Sequence, residues 1–196
     1  GGGKVEGGGG WGHTVACLPR REFPVGDGGN GVHDVARGAK TVAQFVADSS
    51  VLGMVGPFNS GVAAGEIPIA NSQNLAMISP SNTSECLTQE PADGHCKGQA
   101  AKLRQNGKNN YFRVCTTDLI QGPAGADYAY GKLGKKKVFV MNDQQQYGLG
   151  IAKTFAAQFT KDGGTVLDSD LGGFDPTSQP DFKSLLSRAQ SLGADA

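Results

Sequence analysis

The sequence predicts an α/β fold in which parallel sheets are flanked by helices, and two observations predict it. Short apolar, β-rich runs recur at Val51–Val55, Leu75–Ile78, Tyr111–Val114 and Lys137–Met141. Between them lie segments whose apolar residues repeat every three to four positions, the period of one helix face. Strands alternating with amphipathic helices are the signature of βαβ units and of a sheet covered by helices.

Taken in order, Val42, Phe45 and Val46 give a helix over Arg37–Asp48 one apolar stripe, which must lie on a sheet. The run Val51–Val55 follows as a buried strand, and Gly56-Pro57 ends it because proline lacks the donor that a central ladder needs. A weaker helix runs over Ser60–Asn71, with Pro68 expected to end or kink it. The strand Leu75–Ile78 stops at Ser79-Pro80. Residues Glu85–Asn110 are polar and glycine-containing and read as a long excursion. After the strand Tyr111–Val114 come a helix over Gln121–Lys132, the strand Lys137–Met141 and a helix over Tyr147–Lys161. In that last helix Ile151, Phe155 and Phe159 form an apolar ridge. Gly163-Gly164 ends it, Val166-Leu167 makes a short strand, and Ser178 with Asp181 offers a capping box for a final helix reaching about Ser191.

Composition bounds what this fold does. The chain carries 18 basic and 18 acidic residues, so it lacks the basic stripe that nucleic acid requires. No run of 18 apolar residues and no apolar leader core is present. Twelve of the 31 glycines fall within the first 31 residues, so residues 1–34 are low in complexity, bury little apolar surface and are expected to be poorly ordered. The four cysteines, at 17, 86, 96 and 115, form no CxxC pair and have no histidine at ligand spacing, which argues against zinc. Cys86 and Cys96 are close enough in sequence to close a small disulfide loop, or all four are free thiols.

Three segments fall just past strand ends, where an open parallel sheet binds ligands. They are Gly56–Gly61, Ser79–Thr83 and Asn142–Gly148. Ser60 opens a helix, where free N–H groups favour an anion such as a carboxylate, or else it is an ordinary helix cap. Ser81 and Thr83 offer hydroxyls that both donate and accept, which suits a zwitterion, although the same residues also serve a self-satisfied turn. Tyr147 stands at a helix entrance with a ring face and a hydroxyl to offer, or packs at an edge.

The order of VLGMVGPFNSG, LAMISPSNTSECLTQ, YFRVCTTDLIQGPAGADYAYGKLGKKKVFVMNDQQQYGLGIAKTF and DFKSLLSRAQSLGAD resembles the leucine/isoleucine/valine-binding proteins. These are type I periplasmic solute-binding proteins of branched-chain amino acid ABC transporters, and the resemblance runs from about Val35 to Asp195. It implies a two-lobed type I architecture, with a first lobe over 35–117 and a second over 118–196, each partial, so that the fold is incomplete at both ends. It implies an extracytoplasmic carrier with a small amino acid as ligand, a permease as partner, no cofactor and no catalysis. Ser60, Ser81 and Thr83 would hold the ligand's amino and carboxylate groups and Tyr147 would approach from the second lobe. Residues 1–34 do not reproduce the family's opening strand, loop and helix.

Two other readings compete. The same architecture serves as the sensor domain of a receptor or regulator, since fold does not decide function. A nucleotide-dependent enzyme is suggested only by Gly26–Gly31, which matches GxGxxG but lacks a preceding strand and a following helix. His13, His33 and His95 lie in polar or glycine-rich sequence, unlike catalytic bases.

Overall fold

The computed structural model describes residues 15–17, 34–168, 171–175 and 181–196. The chain divides into two compact units. One comprises Gly1–Asn82 and Cys86–Cys115, the other Thr83–Glu85 and Thr116–Ala196.

In the first unit, helix α1 spans Val35–Ala47 and begins where the Asp34 carboxylate accepts the Arg37 N–H at 3.0 Å. Its apolar stripe is the one the spacing predicts: Val42 and Phe45 are buried and Val46 packs at the margin. Strands β1 (Val15–Cys17), β2 (Gly53–Val55), β3 (Ala76–Ser79) and β4 (Tyr111–Arg113) form one sheet in that order. The pairs β2–β3 and β3–β4 are parallel, and β1 runs antiparallel to β2. Strand β1 lies in the glycine-rich opening, where the sequence reading expected no element; the rest of that stretch up to His33 is outside the described residues.

Register and pleat decide which side chains are buried. Met54, Met77 and Tyr111 stand side by side across β2, β3 and β4, and all three are buried with Val42, Phe45, Ala63, Ile67 and Ala70 of the helices. Burying a Val, Ile, Met or Phe side chain of this set contributes roughly 1.5 to 3 kcal/mol by leaving water. Successive residues point to opposite faces, so the neighbouring row Val55, Ile78 and Phe112 is exposed.

Helix α2 spans Ser60–Ser72 and runs through Pro68, so of the expected end or kink at Pro68 the end is corrected. The proline removes one hydrogen bond, but Ile67 and Ala70 on either side are fully buried, and tertiary packing rather than local propensity holds the turn. The polar stretch after β3 is no free excursion. It carries the short helix α3 (Gln99–Lys102) and a disulfide between Cys86 and Cys96, and Leu87 and Leu103 pin it to the core.

In the second unit, helix α4 spans Asp118–Asp127 and continues as a π-helical turn over Tyr128–Lys132. It starts three residues before the predicted Gln121, because extended Thr117 is its cap residue and the Asp118 N–H donates to the Thr83 carbonyl at 2.9 Å. Strands β5 (Lys137–Val138) and β6 (Thr165–Val166) pair in parallel, and β5 is shorter than the predicted Lys137–Met141. Helix α5 (Gln146–Lys161) packs its ridge as expected: Phe159 is buried with Ala126 and Val138, and Phe155 stacks on Phe159 at 5.7 Å between centroids.

Helix α6 (Lys183–Ser191) starts later than a capping box at Ser178 requires. Asp181 accepts the Lys183 N–H at 2.8 Å, and Ser178 lies outside the described residues. Beyond it, the Asp195 N–H donates to Lys137 O and the Phe139 N–H donates to Ala196 O, both at 2.9 Å, along the edge of β5. Among the described residues no helix is long and apolar enough to cross a membrane.

Candidate functional site

Two of the three strand-end segments meet in the first unit. The loop from β2 into α2 is capped by Asn59, whose side-chain oxygen accepts the N–H groups of Gly61 at 2.8 Å and Val62 at 3.3 Å. Asn59, rather than Ser60, is therefore the cap, and Ser60 is the first residue of α2, 2 % exposed. The Asn59 cap takes up the N–H groups of Gly61 and Val62, and the positive end of the helix dipole remains at this start.

The loop after β3 is tied to it at every step. Ser79 Oγ donates to Pro57 O at 2.9 Å and accepts the N–H groups of Ser81 and Asn82. Ser81 Oγ donates to Phe58 O at 2.8 Å, which uses its proton and leaves its lone pairs. The Asn82 side-chain N–H donates to the same Phe58 carbonyl at 2.8 Å, while its oxygen accepts from Tyr111 Oη at 3.0 Å. Arg113 donates to Asn82 O at 2.9 Å and also bonds Thr88. Burial pushes the Tyr111 phenol up to about 12 against the opposing charge of Arg113, so the hydroxyl keeps its proton and donates.

The structure thus joins the Ser60 and Ser81 loops through two carbonyls: Pro57 O accepts from Ser79, and Phe58 O accepts from Ser81 and Asn82. The sequence reading placed Ser79 and Asn82 within a strand-end segment but gave neither of them a role. The signal available was Ser79, which the alternation of β3 places on the buried face with Met77, and a polar Asn82 two residues beyond Pro80.

Thr83 and Tyr147 belong to the second unit. Thr83 Oγ1 is buried and has no hydrogen-bond partner. Its backbone carbonyl holds the start of α4, and the next residue, Ser84, accepts Gln146 Nε2 at 3.1 Å. Tyr147, in the first turn of α5, accepts Gln121 Nε2 at 3.1 Å through its hydroxyl. The two predicted residues are therefore not bonded to each other.

The third segment is largely satisfied by itself. Asn142 Oδ1 accepts the Gln144 N–H at 2.8 Å, Asp143 Oδ1 accepts the Gln145 N–H at 3.0 Å, and Asn142 Nδ2 donates to Leu171 O at 2.7 Å. The segment borders a hollow of about 520 Å³ in this unit, walled mainly by apolar side chains such as Val140, Ile151 and Phe155, with Tyr147 among its lining.

A parallel sheet with helix-starting loops at its strand ends, rich in hydroxyl and amide groups, is the framework on which open α/β sheets bind small molecules. The periplasmic binding protein family profile matches residues 23–196, and the chain belongs to that family. A Leu/Ile/Val-binding protein homolog from Brucella melitensis is 29 % identical over 159 residues, 81 % of this chain and 38 % of the relative. The Leu/Ile/Val-binding protein BraC3 of Rhizobium johnstonii is 27 % identical over 155 residues, 79 % of this chain and 37 % of its own. Among solved structures, the leucine binding protein LivK of Thermotoga maritima superposes with a TM-score of 0.66 at 29 % identity, over 83 % of this chain and 41 % of that one. LivJ of Streptococcus pneumoniae, in complex with isoleucine, gives 0.62 at 25 % identity, over 81 % of this chain and 39 % of that one. The fold is that of type I periplasmic binding proteins, and the chain spans about two fifths of the length of these relatives.

Proposed function

We propose that this chain is part of an extracytoplasmic substrate-binding component of an ABC transporter that captures a branched-chain or related small amino acid between two lobes and performs no chemistry on it. The lobes correspond to the stretches 35–117 and 118–196, and the transporter's permease is the partner that receives the ligand. One observation carries the ligand assignment: Thr83 Oγ1 is buried and lacks a partner. A buried hydroxyl without a hydrogen bond costs about 1 to 3 kcal/mol, a cost that a ligand's ammonium or carboxylate removes on binding.

In this reading the start of α2 at Ser60 faces the carboxylate, Ser81 offers lone pairs, Thr83 donates or accepts as needed, and Tyr147 closes from the second lobe. Polar groups held by their own backbone bonds need little reorganisation when the ligand arrives, which favours affinity. The Leu/Ile/Val-binding proteins to which the chain is similar support a ligand with a branched aliphatic side chain.

Isothermal titration of L-leucine, L-isoleucine and L-valine into the complete gene product is expected to give saturable heat with micromolar or tighter affinity for at least one. Heat from none of them would overturn the amino acid reading. A DNA-binding domain or membrane span fused to the chain would instead favour a sensor.

A further inference from the structure

Asn82 is completely buried, yet all of its polar groups are engaged by elements distant in sequence. Its side-chain N–H reaches Phe58 O at 2.8 Å in the loop that leads into α2. Its side-chain oxygen takes the Tyr111 hydroxyl at 3.0 Å from β4, its N–H goes to Ser79 Oγ at 3.0 Å, and its carbonyl receives Arg113 at 2.9 Å and Cys115 Sγ at 3.3 Å. The amide orientation is determined by its neighbours: Phe58 O only accepts, so the NH₂ must face it, and Tyr111 Oη then donates to the oxygen.

We propose that Asn82 is the positioning residue of the candidate ligand site, a buried amide that clamps the Pro57–Ser60 loop to the Ser79–Ser81 loop and so holds the Ser60 and Ser81 groups in a fixed arrangement before ligand arrives. This rests on the reading of those loops as ligand-binding, but the clamp itself is a property of the ligand-free chain. Asn82 touches no ligand in this account; it acts through the Phe58 carbonyl and the Ser81 backbone. The titratable groups that face it are Tyr111, Arg113 and Cys115.

The test uses Asn82→Asp, which keeps the shape and the acceptor for Tyr111 but, when ionised, cannot donate to Phe58 O. At pH 7 amide hydrogen exchange of Gly61 and Val62 is expected to speed up about tenfold or more relative to the parent, the loss of one buried hydrogen bond. Protection should return as pH falls and the new carboxylic acid regains a proton to donate. Amides of α1 should stay as protected as in the parent at both pH values. In parallel, the dissociation constant for L-leucine should rise about tenfold or more at pH 7 and recover at acid pH.

Unchanged exchange at Gly61 and Val62 overturns the clamp, and so does a loss spread equally over α1, which would mark a merely structural residue. If Asn82→Asp does not fold, Tyr111→Phe removes one partner alone and should loosen the same amides by a smaller factor; no change there overturns the clamp too. If the parent takes up no L-leucine while exchange behaves as stated, the clamp stands and the amino acid reading fails. If the parent binds L-leucine and the variant binds it equally well at pH 7, the positioning role is overturned.

Discussion

Glu66 of α2 lies so close to Gly38 of α1 that a β-carbon on Gly38 would fall 2.6 Å from Glu66 Oε1. Glu66 is 1 % exposed, and its Oε2 has no hydrogen-bond partner. Burial pushes its carboxyl up to about 8 from an ordinary value of 4.5. The folded protein therefore holds a proton that the unfolded chain releases, and stability falls as pH rises from about 4.5 to about 8, then levels off. Glu66→Gln should flatten that decline, matching the parent near pH 4.5 and exceeding it by several kcal/mol above pH 8. Urea midpoints across this range measure it, and an equally steep decline in the variant would show that another group is responsible.

At Gly122, α4 approaches α5 closely. A β-carbon there would overlap Thr154 Oγ1 and lie 2.7 Å from the Phe155 amide nitrogen, whereas Gly131 has open space around its position. Gly122→Ala is expected to destabilise the protein by about 1 to 3 kcal/mol although alanine is the better helix former. Gly131→Ala should be neutral or slightly stabilising. Thermal unfolding of the pair separates the two, and equal behaviour would contradict the packing.

Thr83→Val removes an unpartnered buried hydroxyl and keeps the side-chain shape. The ligand-free variant should be as stable as the parent or more so, while L-leucine binding weakens by about 1 to 3 kcal/mol. Unfolding curves with and without L-leucine read both effects. A variant that binds as the parent does would remove Thr83 from the site.

The Cys86–Cys96 disulfide closes a loop with a sequence separation of 10 residues, which holds Leu87 against the core. Replacing both cysteines by serine is expected to cost about 2 to 3 kcal/mol, chiefly by freeing the unfolded chain. The same shift should appear when the parent is measured in a thiol reductant. Insensitivity to reductant would mean that the bridge contributes nothing to stability.

Much of the fold was legible because it is written in local periodicity. Val42 and Phe45 mark the buried stripe of α1, and Phe155 and Phe159 mark that of α5, whatever the rest of the chain does. Strand ends were legible from Gly56-Pro57 and Ser79-Pro80 for the same reason. What local preference misjudged was a helix end at Pro68 and the length of β5, where tertiary packing outweighs it. Strand β1 was hidden because glycine-rich sequence carries no strand signal.

By itself, then, the amino-acid order determined the alternation of strands and helices, the three polar loops at strand ends and the family resemblance. These depend on neighbours within a turn or two of the chain. The tertiary structure alone decided that Glu66 would be a buried acid, that Thr83 would keep an unpartnered hydroxyl and that Asn82 would meet Phe58 and Tyr111. Those partners lie 24 and 29 residues away. Which distant groups meet depends on strand order and register, and no local pattern encodes it.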